Sequence, residues 1–307
     1  RRDVEEREIL FDLGRIDLFA IMLEDRIAVA RGERLLRYGV GRDCRVLPET
    51  GAWVQEDPGG QWMWVVDIAA RDAQGVRVQL SGMDLPPGAT VAVYPTGGKT
   101  ESAFGASGST YESRGPFLSG EVWTPTLRGE RVRIEYRSPS GSHNASIPFR
   151  ITRVQHIYRD PTGGMPDQPC YDDVTCASEW SSVAKACVGV GFVGQNAMFC
   201  SGQLISTVVG DHTPYLLTAN QCISTVAAAQ TTEVFFDVRS TQCNGAGPAL
   251  EQVPRASGCS LIWTSAWTDA TLLMIEGTLP PNRTWAGWSA APVSVGQAVG
   301  CVHFPEN

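Results

Sequence analysis

The sequence predicts an all-β chain of two domains, and three observations carry that expectation. Apolar and polar side chains alternate over short runs. Glycine and proline, 32 and 19 of 307 residues, punctuate those runs with turn signals. Eight of the nine cysteines lie from Cys170 onward, so the two halves of the chain are held together differently.

Taken in order, residues 1–40 are mixed and charged, with a helix expected over 17–36 where Leu18, Met22 and Leu23 recur. From about Tyr38 the period becomes two. Gln61-Trp62-Met63-Trp64-Val65-Val66-Asp67-Ile68 reads as a strand, and Gly75-Val76-Arg77-Val78-Gln79-Leu80 alternates cleanly. Leu85-Pro86-Pro87-Gly88 is a turn feeding a strand over 89–94. Glu121-Val122-Trp123, Arg131-Val132-Arg133-Ile134-Glu135-Tyr136 and residues 149–158 follow. Short strands with Gly/Pro turns between them argue for an antiparallel β-sandwich.

Residues 159–169 have the composition of an exposed linker and set the expected domains at 1–160 and 161–307. Beyond the linker, strands are expected over 182–193, 197–208, 215–219, 233–238, 257–263 and 270–275. Six strands joined by tight turns suit a small closed or nearly closed barrel.

Composition excludes several function classes. Apolar residues make up 43% and charged residues 19% of the chain, which is globular material. The net charge is −8 with no Lys/Arg block, so no nucleic-acid partner is expected. No apolar run is long enough for a membrane span. Nine cysteines read as disulfides of a secreted protein. The closest pair, Cys170 and Cys176, has five residues between, wider than paired zinc ligands favour. The four histidines, His143, His156, His212 and His303, are far apart, and neither metal nor cofactor is expected. A start at Arg1-Arg2-Asp3 without a signal region and an odd cysteine count read as marks of a fragment.

Three segments resemble the trypsin-like serine proteases, in the bacterial lysyl endopeptidase-like branch. They are Phe199-Cys200-Ser201-Gly202-Gln203-Leu204-Ile205, Tyr215-Leu216-Leu217-Thr218-Ala219-Asn220-Gln221-Cys222 and Thr268-Asp269-Ala270-Thr271-Leu272-Leu273. Ala286-Gly287-Trp288 and Val302-His303-Phe304-Pro305 match two further runs of that branch in the same order. More loosely, Gly120-Glu121-Val122-Trp123-Thr124-Pro125, Gly129-Glu130-Arg131-Val132 and His156-Ile157-Tyr158-Arg159 are similar to the closing half of its β-rich pro-region. The resemblance implies the first barrel of a double-barrel protease behind a pro-region, in a secreted bacterial protein. It also implies a Ser/His/Asp triad acting on a polypeptide substrate. It further implies Cys200–Cys222 and Cys176–Cys243 disulfides, with the partner of Cys170 missing. Cys44, Cys187, Cys259 and Cys301 receive no partner from it, and Cys187, Cys259 and Cys301 read as small apolar residues.

Such a triad needs a hydroxyl nucleophile, a base that takes its proton and a carboxylate that orients the base. Asp269 falls at the carboxylate's position, and Gln221 falls at the base's position. A carboxamide takes no proton near neutral pH, and Asn220 beside it is no better. His212, nine residues upstream in a turn, is not expected to replace the base. The resemblance puts the serine in a Gly-x-Ser-Gly loop beyond Asn307, together with the oxyanion donors, the specificity pocket and most of a second barrel. Ser107, in Gly105-Ala106-Ser107-Gly108-Ser109, has similar letters but precedes the base and acid segments and reads as a turn.

The sequons at Asn144 and Asn282 read as ordinary loops, and Trp62 and Trp64 as packing residues rather than a sugar platform. Three readings follow. The first is a secreted serine endopeptidase-family protein, inactive as given, monomeric, whose partners are a polypeptide substrate or its own pro-region. The second is a pseudoprotease that binds or inhibits. The third is a secreted β-sandwich adhesion or carbohydrate-binding protein.

Overall fold

A computed structural model describes residues 9–32, 36–55, 61–96, 108–139, 146–161, 172–249 and 252–304. Ser107, Asn144 and Cys170, on which sequence expectations fall, lie outside them. The chain is all-β with few helices. In its first part the order is β1 (Leu10–Asp12), α1 (Leu18–Ala30), β2 (Leu36–Val46), β3 (Ala52–Gln55), β4 (Trp62–Ala69), β5 (Gly75–Ser81) and β6 (Thr90–Pro95). Then come β7 (Ser109–Tyr111), β8 (Val122–Trp123), β9 (Leu127–Arg128), β10 (Arg131–Arg137) and β11 (Arg150–Ile157). The second part carries α2 (Ser181–Ala186), β12 (Cys187–Val193), β13 (Ala197–Leu204), β14 (Tyr215–Thr218), α3 (Val226–Gln230), β15 (Glu233–Phe235), β16 (Arg255–Ser257), β17 (Cys259–Ser265) and β18 (Ala270–Ile275).

Two compact units result: Arg1–Leu23 with Gly39–Arg159, and Glu24–Tyr38 with Asp160–Asn307. The segment Glu24–Tyr38, which the composition boundary assigns to the first domain, therefore belongs with the second unit. Its Arg37 pairs with Asp25 at 2.8 Å and Glu24 at 3.1 Å. The helix expected over 17–36 is the shorter α1, started by Asp17, whose carboxylate accepts from the Ala20 N–H at 3.0 Å, and Leu36 already belongs to β2.

In the first unit, one sheet runs β1-β4-β10-β6-β7, with β3 also on β4. The opposing ladder sets β11 between β2 and β5. Both contribute to a single core. Val66 faces Ile134, which faces Val93, and all three are fully buried beside Val76, Val78 and Leu80 of β5. The clean alternation of β10 is what builds this arrangement: its other face carries Arg133, which holds Asp67 through two bonds of 2.7 and 2.9 Å. Trp64 is buried, its indole donates to the Pro48 carbonyl at 2.8 Å, and its ring meets Phe149 edge-on.

In the second unit, β15 lies between β16 and β12, and β12 pairs β13. From there the path continues through β14 and β18 to β17. Its two end strands are separated only by Gly258, whose φ of +85° suits glycine. The Gly258 N–H donates to the Thr232 carbonyl at 2.7 Å, and its own carbonyl accepts from the Glu276 N–H at 3.0 Å. The bent strand thus links both ends of the path, and the sheet curls around Val188, Val190, Leu204, Leu216, Val234 and Leu273. On the outer side of β12, a Cβ at position 189 would lie 2.4 Å from the Phe199 ring. Only glycine fits there.

Residues 182–186, expected as strand, form α2 instead, because Ala184, Lys185 and Ala186 favour helix and follow a 3₁₀ turn at Ser178–Trp180. The strand expected to reach residue 208 ends at Leu204, where Thr207 and Asp211 close a turn at 2.7 Å. The one expected over 233–238 ends at Phe235, before Asp237 adopts a φ of +56°. Beyond β18 the chain docks without a strand of its own: Ser206 and Leu204 exchange backbone bonds of 2.9 and 2.8 Å with Ala286.

Candidate active site

The turn 219–223 joins β14 to the disulfide-bonded Cys222. It begins where the Ala219 carbonyl accepts from the N–H groups of Cys222 and Ile223, each at 3.2 Å. The Gln221 N–H donates to Asp269 Oδ1 at 2.8 Å, and both residues are exposed. Asp269 reaches across because it adopts φ +46° at the tight turn between β17 and β18. Among the described residues, Asp269 Oδ2 accepts no hydrogen bond.

Two threonines that sequence reasoning left unassigned fix this turn. Asn220 Nδ2 donates to Thr264 Oγ1 at 2.7 Å, Thr264 and Thr271 hydroxyls meet at 2.5 Å, and Thr271 Oγ1 donates to the Ile223 carbonyl at 2.6 Å. A hydroxyl has one proton, so the chain has one direction: amide to Thr264, Thr264 to Thr271, Thr271 to carbonyl. It starts and ends in the turn that presents residue 221. Thr218, opposite Thr271 in the ladder, donates to the Ser201 carbonyl at 2.8 Å. The available signal was Thr271 inside Asp269-Ala270-Thr271, but its partners depend on strand register.

The cysteines frame the site. Cys200 of β13 and Cys222 of the turn are bonded, Cα atoms 6.4 Å apart, and Cys176 is bonded to Cys243 at 4.5 Å. Asp173 braces the second pair by accepting from Ser240 Oγ and the Asn244 N–H, each at 2.8 Å. Cys44, Cys187, Cys259 and Cys301 are free. Burial pushes the Cys44 thiol up to about 11 and Cys259 up to about 12, so neither is a ready nucleophile.

His212 precedes β14 whereas Gln221 follows it, so the four-residue strand holds them at opposite ends. Its ring stacks on Trp285 at 4.6 Å. His303 bonds the neighbouring Phe304 carbonyl at 3.0 Å. Among the described residues, no group of three His, Cys, Asp or Glu could hold a metal ion. A cavity of about 660 Å³ lies in the first unit, between Cys44, Trp64, Phe149 and Arg150, and includes neither Gln221 nor Asp269. No helix of the described residues is long and apolar enough to cross a membrane.

Gln221 and Asp269 are therefore held together by a backbone N–H, whatever the side chain at position 221. Two family models match this chain. The lysyl endopeptidase N-terminal domain matches residues 20–158, and the lysyl endopeptidase C-terminal domain matches residues 167–307.

Proposed function

Because the chain belongs to the lysyl endopeptidase family of serine endopeptidases, we propose that it is a secreted member whose barrel keeps the base-orienting frame but has lost the base. In complete relatives a serine attacks the peptide carbonyl, a histidine takes its proton and an aspartate orients the imidazole. Asp269 fills the orienting role here, and Gln221 stands where the base belongs. The single observation that carries this reading is the 2.8 Å bond from the Gln221 N–H to Asp269 Oδ1 beside the Cys200–Cys222 disulfide. A glutamine amide neither accepts nor releases a proton near pH 7, so the reaction stops at its first proton transfer.

Residues 1–160 serve as a pro-region to residues 161–307, with Glu24–Tyr38 crossing into the second unit. Secretion is supported by two disulfides, which are rare in reducing compartments. The polypeptide partner binds as a substrate would, the protein acts as a monomer, and no cofactor takes part.

The test is exposure of the 307-residue chain to a serine-directed fluorophosphonate and to a mixed peptide library. Neither labelling nor cleavage is expected. Labelling abolished by Ser107→Ala would overturn the proposal.

A second reading, a binding or inhibitory pseudoprotease, is favoured by the hydrogen-bonded chain through Thr264 and Thr271. That chain keeps the 219–223 turn fully built although its base is gone. Saturable binding of unfolded polypeptide, weakened by Gln221→Arg, supports it; equal binding by both forms contradicts it.

A further inference from the structure

We propose that Cys187 and Cys301 form a third disulfide, which ties the trailing segment 276–304 to the first strand of the barrel. Neither cysteine has another assigned role.

The placement rests on which face of the barrel each residue occupies. Val188 and Val190 of β12 point into the core, so Cys187 and Gly189 point outward. The ladder sets Cys187 opposite Gln203 and Gly189 opposite Ser201. The trailing segment lies on this same outer face. The Phe304 N–H donates to Ser201 Oγ at 2.8 Å, and the Phe304 ring meets Phe199 edge-on at 5.7 Å. Just before Cys301, Gly300 sits so close to Trp180 that a Cβ there would lie 2.4 Å from the indole. Cys301 is thus held between two anchors, one on each side.

Between those anchors the Cys187 sulfur lies 3.4 Å from the Val302 carbonyl oxygen, one residue beyond Cys301. Burial first, and then the nearby Cys301, push the Cys187 thiol up to about 12. Among the described residues, the remaining free cysteines are placed elsewhere: Cys259 is fully buried inside the barrel core, and Cys44 belongs to the first unit. Cys301 is exposed and open to an oxidant.

The chemistry is thiol–disulfide exchange with a low-molecular-weight disulfide such as oxidised glutathione. The Cys301 thiolate attacks one sulfur of the reagent, breaking its S–S bond and releasing one thiol. While the chain is still folding and Cys187 is not yet buried, its thiolate then attacks the mixed disulfide and displaces the second thiol. Two protein thiols are oxidised, one reagent disulfide is reduced, and the two protein protons end on the two released thiols.

The experiment refolds the 307-residue chain with oxidised glutathione. The chain is then denatured without reductant, alkylated with iodoacetamide, digested and analysed by mass spectrometry. A cross-linked pair of peptides carrying Cys187 and Cys301, lost on reduction, is expected. Alkylation of both residues would overturn the proposal, as would linkage of Cys301 to Cys44, to Cys170 or to a second chain. Cys301→Ser removes an exposed sulfur and is expected to fold. Its segment 276–304 should then be cut several-fold faster by protease, and an unchanged rate would contradict the tether.

Discussion

The backbone N–H of Gln221 donates to Oδ1 of Asp269 at 2.8 Å, across a sequence separation of 48 residues. This bond needs no particular side chain at position 221. It fixes where any side chain there begins. The turn 219–223 is therefore tied to Asp269 by the backbone, whatever residue stands at 221.

Replacing Asp269 separates its two contributions. Asp269→Asn keeps an oxygen acceptor and tolerates the positive φ of +46°, so a stability change under about 0.5 kcal/mol is expected. Asp269→Ala loses the acceptor and strains a left-handed residue, so a loss of about 2 kcal/mol is expected. Urea midpoints of the two variants check this, and equal losses would contradict the role given to Oδ1.

His156 makes the first unit sensitive to acid. It is fully buried, neither ring nitrogen has a hydrogen-bond partner among the described residues, and burial, reinforced by Arg42, lowers its pKa to about 4. The unfolded chain takes up this proton near pH 6.5, whereas the folded chain does so only near pH 4. Stability should therefore be complete above about pH 6.5 and fall by about 3 kcal/mol as pH drops toward 4. His156→Leu should remove most of that slope between pH 6.5 and 4.5, and an unchanged slope would place the acid sensitivity elsewhere.

The two disulfides close loops of different length. Cys200 and Cys222 are 22 residues apart and Cys176 and Cys243 are 67 apart. Loop entropy assigns about 3 and about 4 kcal/mol to them. Paired Cys→Ala variants should show both losses in urea melts, with the Cys200/Cys222 pair also loosening the 219–223 turn. Hydrogen exchange at the Gln221 amide reads that loosening, and unchanged protection would separate the disulfide from the site.

Much of this arrangement is legible in the sequence where alternation is uninterrupted. Arg131-Val132-Arg133-Ile134-Glu135-Tyr136 becomes β10, and Ala270-Thr271-Leu272-Leu273 becomes β18. The strands β1, β3, β7 and β9 leave no such trace, because two to four residues held by backbone bonds need no side-chain pattern. The helix α2 was hidden because Val183 and Ala186 continue the apolar run of β12. Gln221 and Asp269 were legible as positions through the resemblance of their segments. Thr264 was not, because its role exists only once β17 and β18 pair and bring it onto Thr271. Cys187 and Cys301 escape for a similar reason: spacing along the chain carries no record of a trailing segment folded back over β12.

The most direct measurement is the imidazole titration of the Gln221→His variant by NMR, with and without Asp269→Asn. If Asp269 is the orienting carboxylate, its charge stabilises the imidazolium. The pKa of the introduced imidazole should then lie above the ordinary value of about 6.5 and fall by about one unit when Asp269→Asn is added. Identical titration curves for the single and double variants would contradict the account, because position 221 would then not be aimed at Asp269.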